Sequence, residues 1–398
     1  MKNAKFKAHL IWEKYSTQQL YFIALVITLV ANFFSQTVLV EIFPFLVLIF
    51  KIVRVFAVCI LAIKLMLERA FLHPSFLWGC IVGFYVLIVA IVTDNYLALL
   101  PLFAFIYSGY NVAFDKIIRI SCIVSLICMG ITQILYGLGY FYSVDAVRGL
   151  TVAEGIRKSV GYTFVSFGSN YFFHVALMYV FVRKSAISWF EILGMAIINF
   201  YFYMETDTKA AFWLVNLLLV VWVIAKFCKI HRSSAIKKIE RYALLVSSLS
   251  IVFVTELYRW QPYLLDKLNV ALSGRLFEGA KAVDIYGYSL IGKRIEWVFY
   301  GDNPLYGESY LYADSSFVNI MLNYGMMTLV ILIVGFYFIP YIYKKNDIFY
   351  TIPFLFLVIH SIFDPQFMEL YYNPFLLILG GLFSRRGVRF FEDYFQAS

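Results

Sequence analysis

Residues 75–93 read SFLWGCIVGFYVLIVAIVT, a stretch without a single charged side chain. A helix needs about 17–25 predominantly apolar residues to cross the hydrocarbon layer of a bilayer, and this stretch meets that requirement. Comparable stretches recur along the whole chain. The same criterion predicts about twelve spans (11–12), near residues 20–36, 43–63, 75–93, 96–112, 117–138, 167–182, 187–204, 210–227, 242–258, 316–339, 348–363 and 373–384.

The composition of the whole chain agrees with this interpretation. Hydrophobic residues make up 62% of the 398 positions and charged residues only 14%, whereas soluble domains are about half apolar and about one quarter charged. A soluble protein of this length could not bury so much apolar surface in one core. We therefore predict an all-α fold, a polytopic integral membrane helix bundle that forms a single domain over residues 1–398.

The basic residues predict an orientation rather than nucleic-acid binding. The formal net charge is +9, but Lys and Arg fall between the apolar runs instead of clustering on one face. With a cytoplasmic N-terminus, the cytoplasmic connections hold 21 of the 33 Lys and Arg residues, the outer connections hold 10, and two lie within the second span. Because cytoplasmic loops are enriched in Lys and Arg, both termini are predicted to be cytoplasmic. We find no cleavable signal peptide and expect the first span to be retained.

Two predicted outer connections are too long to be simple turns. The first covers residues 139–167. The second, residues 258–313, is a large extracytoplasmic loop inserted between spans nine and ten, and it is predicted to be partly helical. This loop is the only segment long enough for a small folded cap.

The large loop carries charged residues at helical spacing. Ser273 is a suitable N-cap, and Arg275, Glu278 and Lys281 then recur about one turn apart. Arg275 and Arg294 are candidate phosphate ligands because a guanidinium binds phosphate oxygens in a bidentate way. Carboxylates in the loop are candidate bases for an attacking hydroxyl. The alternative is a solvated loop with ordinary surface pairs, such as Arg275 with Glu278.

The end of the loop combines a cap with a polar stripe. Asp314 can cap the following span, and Ser315, Asn319 and Asn323 recur every four residues on one face of that helix. Polar residues inside a membrane usually face the bundle interior or a wet cavity. The stripe therefore indicates either a substrate cavity or hydrogen bonds between helices.

Further cations lie in the other outer connections. Arg157 and Lys158 precede the span that carries Asn170, and Lys209 ends a tight charged turn. Lipid head groups and a lipid-linked diphosphate are both suitable partners for such cations. A packed bundle could bring the cations of three connections to one anionic group.

The sequence gives no sign of a metal or cofactor. It lacks an H-E-x-x-H motif, a carboxylate cluster at metal-ligand spacing and a Gly-rich phosphate loop. The five cysteines show no paired spacing and predict neither a disulfide framework nor a metal site. We therefore predict no metal, no cofactor and no nucleic-acid partner.

Several short motifs follow one another in the outer connections: RKSVGY at residues 157–162 before a span with Asn170, SGR at 273–275, YGYSLIG at 286–292, and DSS with NYG within 314–325. Taken in this order, they resemble the Wzy-type polysaccharide (O-antigen) polymerases, which are relatives of the O-antigen ligases. The likeness covers most of the chain as topology. Each motif is short, and the resemblance rests on their order, spacing and outer location.

The resemblance implies a glycosyltransferase of the cytoplasmic membrane that polymerises oligosaccharide repeat units carried on undecaprenyl diphosphate. Because the leaving group is a diphosphate, stabilising its growing negative charge is the main catalytic task. The implied catalytic residues are Arg275, Arg157 and Asp314. The implied substrate-binding residues are Lys158, Lys209, Arg294, Asn170, Asn319 and Asn323.

The chain departs from the family at two points. Lys209 stands where the family often has an arginine. The family also often has a histidine in the large loop, and this loop has none, so either a carboxylate is the base there or catalysis needs no base. The implied partners are the lipid-linked oligosaccharides and membrane lipids, with a flippase and a chain-length regulator of the same pathway as candidates. An O-antigen ligase and a transporter or flippase of lipid-linked oligosaccharides remain alternatives. A transporter predicts internal repeats and broken midplane helices, and we find no clear repeat.

Overall fold

In a computed structural model, the chain folds as a helical bundle; residues 2–147, 156–228, 230, 232–298, 311–343 and 348–397 are described. The helices are α1 Lys2–Phe34, α2 Leu39–Ile42, α3 Phe45–Leu67, α4 Phe76–Thr93, α5 Tyr96–Ser108, α6 Phe114–Gly137, α7 Phe167–Arg183, α8 Trp189–Thr206, α9 Lys209–Cys228, α10 Ser234–Trp260, α11 Pro262–Ala271, α12 Arg275–Tyr286, α13 Ser316–Asn323, α14 Met326–Ile342, α15 Thr351–His360 and α16 Arg385–Ala397. A 3₁₀ helix, Pro374–Phe383, lies between α15 and α16. Strands β1 (Asp145–Val147) and β2 (Ile156–Lys158) pair antiparallel.

Six segments of the described chain are helices long and apolar enough to cross a membrane: Thr17–Phe34, Phe45–Leu67, Phe76–Thr93, Phe114–Gly137, Lys209–Cys228 and Ser234–Trp260. They coincide with six of the spans predicted from hydropathy. Helices α14 and α15 and the 3₁₀ helix are also apolar but shorter. The prediction of an all-α, multi-pass membrane protein is therefore confirmed at this level.

The outer surfaces of α3 and α4 are apolar, as lipid-facing helices require. On α3, Leu48 and Phe56 are exposed, and on α4 Leu77, Phe84 and Ile91 are exposed. Soluble proteins rarely leave such a continuous apolar area in contact with water. Helix α7 has the opposite character, because almost every residue from Gly168 to Phe181 is buried. It packs against α6, α8, α9 and α15 and forms the centre of the bundle.

The tenth predicted span is interrupted in the structure. Helix α13 ends at Asn323, and α14 begins after Gly325, which has φ +89°. The N–H groups of Met326 and Met327 donate to the carbonyls of Ser289 (2.9 Å) and Leu290 (3.1 Å). The first N–H groups of a helix have no partner within the helix, so the backbone after α12 satisfies them here. The break thus comes from docking of the 287–292 backbone.

Hydrogen bonds and ion pairs join the connections between helices into two sets. One set is joined by three hydrogen bonds, one β-bridge and one ion pair. The hydrogen bonds are Glu41–Tyr142, Arg157–Thr206 and Ser316–Asp364, the β-bridge is Thr37–Tyr162, and the ion pair is Arg294–Asp94. In the other, Lys64 bonds Ser108, Lys226 bonds Ile187, Arg232 bonds Tyr343, and Tyr343 bonds Asp115. The first set comprises the connections predicted to lie outside, and the second those predicted to be cytoplasmic.

Candidate functional site

A polar cavity of about 330 Å³ opens among the connections of the first set. Four segments build it: the α4–α5 turn, the chain after α12, the second half of α13 together with Tyr312, and the connection after α15. Its lining residues are Thr93, Asp94, Asn95, Arg294, Ile295, Trp297, Tyr312, Asn319, Ile320, Asn323, Tyr324, Pro365, Met368 and Glu369. The volume lies within the range of about 300–1,000 Å³ that is usual for small-molecule sites.

One wall of the cavity is the asparagine stripe of α13. Asn319 and Asn323 are one helical turn apart, and the Asn323 side-chain amide donates to Asn319 Oδ1 at 2.7 Å. The Asn319 amide in turn donates to the carbonyl of Ala313 at 3.2 Å. This chain of bonds fixes both amides at the cavity wall. Of the two alternatives from the sequence, hydrogen bonds between helices are not what these amides form, because their bonds stay within α13 and the segment before it. Both side chains line a cavity.

The mouth of the cavity is bridged by an ion pair. Arg294 Nη1 lies 3.5 Å from Asp94 Oδ2, and both side chains are more than half exposed. A pair this exposed contributes at most about 1 kcal/mol of stability. Arg294 is therefore able to exchange Asp94 for an anionic ligand at little cost.

Arg275 and Asp314 form a second ion pair next to the cavity. Arg275 Nε lies 3.3 Å from Asp314 Oδ2. Neither residue lines the cavity, but Asp314 is two residues from Tyr312, which does. The alternative of an Arg275–Glu278 surface pair is not what the described residues show, because α12 turns Arg275 toward the segment that precedes α13.

Two predicted helix caps are also wrong. Gly274, with φ +83°, occupies the N-cap of α12 in place of Ser273, whose own φ is +58°. Ser315 occupies the N-cap of α13, without a side-chain capping bond, and Asp314 is engaged with Arg275 instead. A glycine suits the left-handed backbone at Gly274, since it has no Cβ to clash. The helix predicted from the spacing of Arg275, Glu278 and Lys281 is present.

A buried carboxylate lies behind this pair, in the connection that follows α15. Asp364 Oδ1 accepts a hydrogen bond from Asn170 Nδ2 of α7 at 3.0 Å, and its backbone carbonyl accepts one from the Ser316 hydroxyl. Burial raises the pKa of Asp364, while the positive charge of Arg275 opposes the shift. Asn170 thus joins the central helix to the site, although it does not line the cavity.

Further buried polar atoms surround Asp364. Within the described part of the chain, Asn170 Oδ1, His360 Nε2 and Asn373 Oδ1 have no hydrogen-bond partner. His360 Nε2 lies 3.7 Å from Asp364 Oδ2, too far for a hydrogen bond. Buried polar atoms usually pair with ordered water or a ligand when the protein offers no partner. The interior beneath the cavity is therefore polar.

The remaining predicted cations form a separate group at the α8–α9 turn. Arg157 Nε donates to the carbonyl of Thr206 at 2.7 Å, and its Nη2 donates to Thr208 Oγ1 at 3.3 Å. Lys158 pairs with Glu205 at 3.1 Å. Lys209 is exposed at the first position of α9. Arg157 thus bonds a terminal carbonyl of α8, which has no partner within its helix.

Two consecutive residues of α7 connect the cations at the α8–α9 turn with the residues around Asp364. The hydroxyl of Ser169 lies 2.6 Å from that of Thr206, beside Arg157, while Asn170 bonds Asp364, beside Arg275. The predicted cations therefore do not gather around one point in the structure. Arg294, Asn319 and Asn323 line the cavity. Arg275, Asp314 and Asn170 lie around Asp364. Arg157, Lys158 and Lys209 lie at the α8–α9 turn.

Sequence reasoning missed three carboxylates of this region: Asp94, Asp364 and Glu369. The available signal was modest, because Asp94 lies in a two-residue connection and the other two lie in the short connection between the last predicted spans. Glu369 lines the cavity, and its charge acts on Arg54 of α3. With these residues included, carboxylates, amides and one guanidinium face the cavity.

This arrangement suits a hydroxyl-rich ligand that also carries negative charge. Carboxylates and amides exchange hydrogen bonds with hydroxyl groups. Trp297 and Tyr312, whose ring centroids are 5.0 Å apart, supply aromatic faces at the same wall. Among the described residues, no group of three His, Cys, Asp or Glu side chains is placed to hold a metal ion.

Comparisons with models of protein families, with curated proteins and with solved structures give no match to this chain.

Proposed function

We propose that this protein polymerises lipid-linked oligosaccharide repeat units into a surface polysaccharide such as O-antigen, capsule or exopolysaccharide. The donor is a glycan on undecaprenyl diphosphate, and the reaction takes place on the outer face of the cytoplasmic membrane. The observation that carries the proposal is the polar cavity, which is lined by Asn319, Asn323 and Arg294 together with aromatic rings, and which has Asp314, paired with Arg275, in the segment that precedes α13. The resemblance of the sequence motifs to the Wzy-type polymerases supports the same assignment.

The proposed reaction is a glycosyl transfer between two lipid-linked glycans. The acceptor hydroxyl oxygen bonds to the anomeric carbon of the donor, and the bond from that carbon to the diphosphate oxygen breaks. The diphosphate leaves with the electron pair, and the hydroxyl proton passes to a carboxylate. Arg275 stabilises the leaving diphosphate, because a charge-assisted contact strengthens as negative charge develops.

The remaining candidates take supporting roles. Asp314 accepts the hydroxyl proton once Arg275 has turned to the diphosphate. Arg294, Asn319 and Asn323 hold the glycan in the cavity. Arg157, Lys158 and Lys209 hold phosphate groups at the α8–α9 turn, with Asn170 between the two groups of cations. The reaction of the proposal uses neither a nucleotide sugar nor a metal.

We propose the full topology on the same basis: twelve crossings, both termini cytoplasmic, and residues 258–313 as an extracytoplasmic loop. The excess of Lys and Arg in alternate connections supports this orientation. The separation of the connections into two sets supports alternate crossing, since consecutive connections belong to opposite sets.

The proposal is tested by turnover with purified protein. The full-length protein in detergent is mixed with repeat units on undecaprenyl diphosphate, and products are resolved by gel and mass spectrometry. A ladder of products that each gain one repeat unit, with release of undecaprenyl diphosphate, is expected. Transfer to an acceptor that is not a repeat unit, without a ladder, would assign the protein as a ligase. If a folded preparation released no undecaprenyl diphosphate, the enzyme hypothesis would be wrong.

A further inference from the structure

A second cavity lies at the opposite end of the bundle, between the end of α14 and the C-terminal helix α16. Its volume is about 440 Å³, and its lining residues are Tyr341, Ile342, Arg385, Arg386, Arg389, Phe390 and Asp393. It has no part in the glycosyl transfer proposed above, because the first cavity lies among the other set of connections.

The lining of this cavity is strongly cationic. Arg385, Arg386 and Arg389 face a single carboxylate, Asp393, so the lining carries a formal excess of two positive charges. All three arginines are exposed, and none forms a salt bridge within the part of the chain that the structure describes. Guanidinium groups bind phosphate oxygens in a bidentate way, and several in one cavity favour a phosphate ligand.

Aromatic contacts hold α16, which carries the arginines of the cavity, against the C-terminal end of the apolar helix α14. Phe390 of α16 stacks on Tyr341 with ring centroids 5.2 Å apart, and Phe391 packs edge-on against Phe338 at 5.0 Å. Both partners belong to α14, one of the apolar helices. The aromatic face of α16 thus points toward the apolar bundle while its arginines stay exposed, the arrangement of a helix that lies at a membrane interface.

A fourth cation supports the same cavity from a neighbouring helix. Arg241 of α10 stacks on the ring of Tyr341, with its guanidinium carbon 4.2 Å from the ring centroid. Tyr341 lines the cavity, so the positive charge of Arg241 adds to that of the three arginines. Aromatic rings and basic residues together are typical of head-group sites at the edge of the hydrocarbon layer.

We propose that this cavity binds the phosphate of an anionic phospholipid head group. The three arginines of α16 hold the phosphate oxygens, and the acyl chains extend along the apolar surface of α14. The phosphate could also come from a soluble ion, but a soluble ion would gain nothing from the aromatic anchor. The proposal does not depend on the polymerase activity.

Native mass spectrometry of the full-length protein tests the proposal, with phosphatidylglycerol and phosphatidylcholine added in equal amounts. We expect bound phosphatidylglycerol to exceed bound phosphatidylcholine severalfold. The double substitution Arg386→Gln with Arg389→Gln should remove most of this preference, because it removes two of the three arginines that line the cavity. Both side chains are exposed, so the fold should stay intact. Arg119→Gln is the matched control, since Arg119 is an exposed arginine of α6 outside the cavity.

Each further outcome also decides the question. Equal binding of the two lipids, or an unchanged preference in the double variant, would overturn the proposal. Inorganic phosphate at millimolar concentration should not displace phosphatidylglycerol; displacement would assign the cavity to a soluble phosphate instead. A preference lost equally in Arg119→Gln would reduce the effect to general surface charge. Thermal unfolding of each variant, expected to match the wild type, shows that the fold is retained.

Discussion

Substitution of Arg275 separates a catalytic role from a structural one. The Arg275–Asp314 pair has a 3.3 Å separation, and the two side chains are 29% and 25% exposed. Ion pairs that reach solvent typically contribute about 0–1 kcal/mol to stability, and partly buried pairs somewhat more. Arg275→Ala should therefore be made in nearly normal amounts, with only a small fall in thermal stability.

The expected effect on turnover is much larger. A charge-assisted hydrogen bond from Arg275 to the leaving diphosphate is worth about 1.5–3 kcal/mol. If this bond forms fully only as the glycosidic bond breaks, its loss slows turnover about 10- to 150-fold, because about 1.4 kcal/mol corresponds to one decade in rate. Arg275→Lys should recover only part of the rate, since lysine keeps the charge but loses the two-pronged geometry.

Arg259 provides the matched control. It lies at the end of α10, pairs with Glu256 and Asp284 at 2.7 Å each, and is similarly exposed. Arg259→Ala removes two ion pairs of a similarly exposed arginine that does not line the cavity, so polymer synthesis should stay normal. The assay measures polymer length and diphosphate release for each variant, with protein abundance measured in parallel. Wild-type turnover by well-expressed Arg275→Ala would refute the reasoning, as would equal losses in both variants.

Two further predictions concern stability in detergent. Burial raises the pKa of Glu278; Lys281 opposes the rise and the charge of Asp314 adds to it, so folding favours the protonated form relative to the unfolded chain. The stability that Glu278 contributes is fully present below its unfolded pKa near 4.5 and is lost as pH rises through the raised pKa of the folded state. Glu278→Gln should therefore reduce the fall of the melting temperature with rising pH. The same pH dependence in both proteins would exclude Glu278 as its cause. Gly325→Ala should destabilise by about 2 kcal/mol or more and lower abundance, because an added Cβ would overlap the carbonyl oxygen of Leu290 at a backbone φ of +89°. Gly194→Ala, which meets nothing within 4 Å, should be harmless, and an equally mild Gly325→Ala would show that the loop can move away.

Hydropathy was sufficient to predict the class of fold, because a span needs only length and apolar composition. It placed the bounds of α4 and α9 to within one residue. It could not predict the break between α13 and α14, since the apolar run continues through Tyr324 and Gly325. The break depends on hydrogen bonds from the N–H groups of Met326 and Met327 to the carbonyls of residues 289 and 290. A local sequence pattern cannot indicate a contact between residues so far apart in the chain.

The candidate site was predictable in part for a similar reason. Asn319 and Asn323 follow a helical spacing, so their shared wall could be inferred from the sequence alone. The partner of Arg275 could not, because Glu278 is near in sequence whereas Asp314 is near only in the folded chain. Asp364 and Glu369 were missed because a short polar connection looks the same whether it contacts solvent or closes a cavity.

The residues that line the first cavity lie far apart in the sequence, so the cavity is complete only late in synthesis. The wall that contains Asp94 leaves the ribosome long before the wall that contains Pro365 and Glu369. A nascent chain that stops before residue 365 already contains all nine residues proposed for substrate and catalysis, yet it lacks one side of the cavity. Incompletely synthesised copies would therefore be inactive toward lipid-linked sugars during insertion, and late premature stops should abolish activity as fully as early ones.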